Sequence, residues 1–302
     1  MNPAPSPPSS VPTRAWLLGA LGVLAFALSV PMTRLATGSV ELPGLPPLFV
    51  GIARCAIAGA LAAAYLLAVR APWPTPMQWR WLLAMTVGVV FGWPVLLALA
   101  VREVDAVHAS VLSGLLPLAT AAMAVGLLRE RAPWRFWFWA LVGLALVLVY
   151  AFLRGAGRPV PADGVLLLAV LLAASGYVAG TRLTRWLSMP PEQVISWGVL
   201  IWWLPCLVWC VWQWPSQPVA AVHWLGLGYV GVVSSWLGFF AWYRALALGG
   251  ALRVGQLQVA QPFLSGSLAV PLLGEALDSL TGLFLLLVIF TVLMGQRAKH
   301  RS

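Results

Sequence analysis

Acidic residues are scarce: eight Asp and Glu stand in 302 residues, and charged side chains of both signs make up 9% of the chain. A soluble domain carries about 25% charged residues, so water is not the solvent this surface is built for. Cysteine and histidine are also rare, at three each. Cys55, Cys206 and Cys210 lie inside apolar stretches without metal-ligand spacing, which reads as buried thiols and removes a disulfide or zinc framework. His108, His223 and His300 stand alone, and no HExxH, GxSxG or paired-Asp motif accompanies them. An intramembrane hydrolase or transferase needs a convergent nucleophile and base or a metal set, so neither an enzyme nor a cofactor or metal site is expected. A channel fares no better, since no filter motif or charged ring is present.

What fills the space is apolar: 61% of the residues, with a mean hydropathy of +0.91. The apolar residues fall into ten runs, at about 15–36, 46–69, 78–100, 106–128, 134–153, 163–183, 193–211, 222–245, 251–273 and 278–295, each long enough to cross a bilayer as a helix. Prolines punctuate the gaps, among them Pro43, Pro46, Pro72, Pro74, Pro159, Pro161, Pro190 and Pro215. Asp105, Asp163 and Asp278 precede or open runs, where a carboxylate meets the free N–H groups of a first turn. The expected fold is an all-α integral membrane protein of ten transmembrane helices.

Eighteen Lys and Arg give a formal charge of +10, yet they stand singly between apolar runs and do not form a patch for nucleic acid. With the N-terminus inside, thirteen of them fall on the inner side and Arg34, Arg102, Arg154 and Arg158 on the outer, while Arg54 lies within a run. Both termini are therefore expected in the cytoplasm of a cell with an inner membrane, and lipid is one partner. The proline- and serine-rich segment 1–14 reads as a disordered tail, and 296–302 as a basic tail. Trp16, Trp79, Trp81, Trp134, Trp137, Trp186, Trp214 and Trp224 mark run ends, where an interfacial belt places them.

A shift of 145 residues lays Pro117 on Pro262 and Glu130 on Glu275, with Pro and Glu thirteen residues apart in both copies. Thr33-Arg34-Leu35 matches Thr181-Arg182-Leu183 at a slightly longer offset. Five runs per copy is an odd number, so the second copy must enter the membrane upside down, as in the inverted repeats of secondary transporters. The expected units are 15–153 and 163–295, joined by 154–162.

On Arg54, Leu116-Pro117-Leu118 with Arg129-Glu130-Arg131, Trp242-Tyr243-Arg244-Ala245-Leu246, and Gln261-Pro262-Phe263 with Gly274-Glu275, the chain resembles the EamA-type, ten-helix members of the drug/metabolite transporter superfamily. One departure is Phe26-Ala27 in the first run, where that family often carries Trp-Gly. The resemblance implies a carrier of a small metabolite or drug, with export as the default direction. It does not name the solute.

Candidate site residues come from the polar groups left inside the runs. Gln258, Gln261 and Ser265 recur at helical spacing, and buried amides in lipid need a wet cavity or interhelical partners. Pro262 and Pro117 each free a carbonyl one turn earlier, that of Gln258 and of Ser113. Trp93 beside Pro94, Ser235 and Trp236 before Gly238, and Tyr177 after Gly176 add aromatic and hydroxyl groups near mid-run, with Ser29 and Ser110. This lining suits a neutral or zwitterionic solute, such as an amino acid, or a drug-like compound. Arg54 reads as a gating or structural residue, by snorkelling or by pinning helices. Glu130 and Glu275 read as caps of the following turn or partners of nearby arginines. His108 reads as an interfacial imidazole near Glu103 and Asp105. A chain of this plan works as a monomer or homodimer.

Overall fold

The computed structural model describes residues 12–128, 133–154, 160–249 and 255–300. Within them, eight helices are long and apolar enough to cross a membrane: α1 Thr13–Thr37, α2 Pro47–Ala68, α3 Pro76–Glu103, α4 Ala106–Leu127, α5 Trp134–Arg154, α6 Pro161–Thr184, α7 Pro191–Trp212 and α8 Ala221–Ala245. Two shorter apolar helices follow, α9 Leu257–Leu273 and α10 Ser279–Gly295. Proline opens several of them, at Pro47, Pro76, Pro161 and Pro191, where its missing N–H has no helical partner to lose. The tail 1–14 lies almost wholly outside the described residues, as do Glu130 and its flanking arginines.

The helices are not uniform, and their interruptions sit at polar or proline-bearing positions. α1 breaks at Leu28, three residues before Pro31. α3 passes through a π-helical stretch, Thr86–Gly92, before resuming at Trp93 with Pro94 in its first turn. α8 does the same over Val230–Leu237. α4 breaks after Ser113 and restarts at Leu116, so Pro117 lies in a first turn. α9 begins as a 3₁₀ stretch, Gly255–Ala260, and becomes α-helical at Gln261, which puts Pro262 in a first turn as well. Neither proline kinks a continuous helix; each starts one.

α2 packs along α7, α5 along α10, and α4 against α9. α1 lies on α8 and α3 on α6, while α6 also meets α4 and α9 also meets α1. Small residues allow the closest crossings: a Cβ on Gly59 would stand 2.6 Å from the Trp203 Cβ, and one on Gly88 would overlap the Leu172 carbonyl and the Gly176 backbone. The buried apolar residues form two clusters, one around α1, α2, α7 and α8, the other around α4, α5, α6, α9 and α10. Tyr177 touches both. Leu17, Leu21, Leu141, Leu148, Phe152 and Leu286 face outward, a distribution that water would penalise and acyl chains do not.

Candidate functional site

Between the two clusters lies a small cavity of about 30 Å³. Its polar wall is built from Ser29 of α1, Arg54 of α2, Tyr177 of α6, Ser234 and Ser235 of α8 and Gln261 of α9. The apolar wall comes from Phe26, Val89, Trp93, Leu116, Ala173 and Phe239. Seven helices therefore contribute, which is the mark of a central site and not of a surface crevice.

Arg54 organises the polar wall. Only 3% exposed, its guanidinium donates from Nε to Ser235 Oγ at 2.7 Å and from Nη2 to Ser234 Oγ at 3.0 Å. Ser234 Oγ donates onward to Ser29 Oγ at 2.8 Å, so α1, α2 and α8 are tied through one chain of hydroxyls. Ser235 Oγ donates to the Val230 carbonyl, five residues back, at 2.7 Å. That backward step of five is the π-helical register, and it is what lets two consecutive serines both face Arg54. Nη1 of Arg54 is buried without a partner among the described residues, as is Oε1 of Gln261. Arg54 neither snorkels nor pins backbone carbonyls; it lines the cavity and keeps one buried donor unsatisfied among the described residues.

Of the residues singled out from sequence, Ser29, Arg54, Trp93, Tyr177, Ser235 and Gln261 meet in this cavity. The others lie elsewhere. Trp236 turns its indole away, donating to Ser196 Oγ at 3.0 Å and packing on Tyr65 and Phe240. Ser113 donates to the Ser110 carbonyl at 2.9 Å within its own helix. Ser265 is buried with a lone Oγ, and Gln258 keeps a buried Nε2 without a partner among the described residues.

One signal in the sequence pointed at the cavity and is not among the motifs above. Val87-Gly88-Val89-Val90 and Val230-Gly231-Val232-Val233 are identical, and each is followed, after two residues, by a tryptophan, Trp93 and Trp236. Both copies are the π-helical stretches. π-Helical segments open the hydrogen-bond ladder and recur at functional positions.

Away from the cavity, the bundle is closed at the Arg34 end. Glu275 does not cap its own following turn; it crosses to α4, accepting from the N–H of Ala106 at 2.9 Å and of Val107 at 2.8 Å. Asp105, the expected cap of α4, makes no side-chain cap bond and instead lies 3.5 Å from Arg34 Nη2. Arg34 Nε is 3.8 Å from Glu275, and its Nη1 donates to the carbonyls of Val101 and Arg102. His108 is likewise not a solvated imidazole: it is 8% exposed, with Nε2 at 2.6 Å from Asp163 Oδ1 on α6, while Glu103 and Asp105 point to the surface.

The model of the EamA-like transporter family matches residues 13–152 and again residues 161–294. The chain belongs to this family. The uncharacterized transporter YdeK of Bacillus subtilis (strain 168) is 38% identical to it over 294 residues, 96% of this chain and 98% of that one. A crystal structure 21% identical to the chain shares its fold, with a TM-score of 0.62 over 95% of this chain and 98% of the other. An EamA-like assignment makes this a membrane transporter of a small-molecule solute, and it accounts for the apolar helices and the drug/metabolite transporter resemblance together.

Proposed function

We propose that the chain is a secondary carrier that exports a small amphiphilic solute, such as an amino acid or drug-like compound, by alternating access through the Arg54 cavity. The observation that carries this reading is a buried, partly unsatisfied polar wall facing an aromatic one at the junction of two apolar clusters. The ten apolar helices read as two inverted units, 15–153 and 163–295. In support, the seven helix pairings given for the fold keep their identity when every number is moved by five: α1 on α8 becomes α6 on α3, α4 on α6 becomes α9 on α1, and α2 on α7, α5 on α10 and α4 on α9 map onto themselves. The two family matches divide the chain at the same place. Such symmetry is how one packing is exchanged for its mirror arrangement across the membrane. The two π-helical stretches occupy corresponding helices, α3 and α8, and are the natural points of bending.

Both termini face the cytoplasm of an inner membrane in this reading, which makes the Arg34–Glu275 end external. No carboxylate lines the cavity among the described residues, so exchange or facilitated diffusion is the favoured mode over proton coupling. Counterflow tests the proposal: protein in liposomes preloaded with a mixture of amino acids, amines and organic acids is given the labelled mixture outside. A carrier shows saturable, exchange-stimulated entry. Non-saturating leak marks a channel, and no entry of any component removes the proposal.

A further inference from the structure

Arg54 brings a full positive charge to the centre of the bundle and nothing described there balances it. A guanidinium does not deprotonate at physiological pH, so the charge cannot be shed as it is for lysine or histidine. Its two bonded partners, Ser234 and Ser235, are neutral hydroxyls. Among the described residues, every carboxylate that forms an ion pair does so elsewhere: Asp105 and Glu275 with Arg34, Asp163 with His108, Asp278 with Arg154, Glu192 with Arg244. A buried charge without a counter-ion costs several kcal/mol even after relaxation. A chain that only needed helices pinned would do it more cheaply with serines, so the missing counter-ion belongs to the cargo.

We infer that the cavity takes its solute by a carboxylate set on Arg54 Nη1, with an apolar or aromatic body lying against Phe26, Trp93 and Phe239. The inference rests on the cavity being the solute site, and it replaces a neutral lining with an anion-selective one. Serine hydroxyls on Nε and Nη2 hold the guanidinium plane and leave Nη1 buried and unpartnered among the described residues, on a side chain that lines the cavity. Gln261 Oε1, buried and unpartnered, accepts one N–H or O–H from the same solute. Being neutral, that amide does not require a cation, so an ammonium group is tolerated and is not the anchor. A solute whose only charge is positive meets the same guanidinium and is repelled.

Calorimetric binding to the purified protein in detergent tests this with three probes of one shape: hydrocinnamate, its neutral amide hydrocinnamamide, and phenethylamine. Hydrocinnamate is expected to bind, more weakly as salt rises, with the amide weaker by roughly tenfold or more and the amine giving no heat. Arg54→Gln should erase the preference of acid over amide, and Arg54→Lys should keep part of it. Should these variants fail to fold, the three probes on the unaltered chain decide alone. Amide or amine binding as tightly as the acid overturns the inference, as does no binding of the acid up to about 10 mM. Binding of the acid without counterflow leaves the anion site standing and removes the carrier reading. Counterflow of amines or neutral solutes with no acid binding does the reverse.

Discussion

Arg34 and Glu275 lie 241 positions apart in the chain's two halves and tie helices together at one end of the bundle, the guanidinium 3.8 Å from a carboxylate that caps α4 through Ala106 and Val107. Burial pushes the Glu275 carboxyl above its ordinary 4.5, and the two backbone N–H groups draw it only part of the way back. A carboxyl raised in the fold stabilises it fully below 4.5, and that contribution is lost as pH rises through the folded value. Asp278 has the opposite sign: the Thr281 N–H holds it below its ordinary 3.8, so its contribution is present above that value and lost only at lower pH. The two windows do not overlap. Melting temperature should therefore rise as pH falls toward 4.5 in the parent chain and change less in Glu275→Gln over the same range. Identical profiles would show that Glu275 does not sense pH.

The His108–Asp163 pair joins α4 to α6 beneath the Tyr150 ring. His108→Ala leaves a buried carboxylate short of a partner and should cost about 1–3 kcal/mol, read as a lower melting temperature. Asp163→Asn still accepts from the Val160 N–H and should cost less. An unchanged melting temperature in His108→Ala would mean the pair carries no stability.

Gln258 and Gln261 separate by position. Gln261 lines the cavity and Gln258 does not. Leucine suits a lipid-facing or packed helix, so both leucine variants should insert and fold. Counterflow is expected to fall in Gln261→Leu and to persist in Gln258→Leu. Equal effects of the two would place the solute path elsewhere.

Topology follows from the thirteen-to-four excess of basic residues on one side. Reporter fusions should locate Pro74, Pro190 and the C-terminus inside, and Pro43, Pro161 and Pro218 outside. An external C-terminus would mean an odd number of crossings and would undo the two-unit reading.

The helices and their breaks were legible in the sequence because a bilayer demands about 20 apolar residues per crossing and prolines mark the ends. Arg54 was legible as an oddity, a charge inside an apolar run. Its partners were not, because Ser234 and Ser235 face it only through a π-helical register that composition does not announce. The repeated Val-Gly-Val-Val with its trailing tryptophan was the available clue. His108 and Asp163 meet across 55 positions, a pairing set by helix packing and not by any local pattern.

Ala173 is small, lines the cavity and makes no polar bond there, so a thiol at that position reports access without disturbing the Arg54 wall. With Cys55, Cys206 and Cys210 replaced by alanine, Ala173→Cys can be exposed to a membrane-impermeant thiol reagent in right-side-out and in inverted vesicles. Alternating access predicts modification from both faces, with rates that shift in opposite directions when a transported solute is present. Modification from one face alone, under every condition, would contradict it.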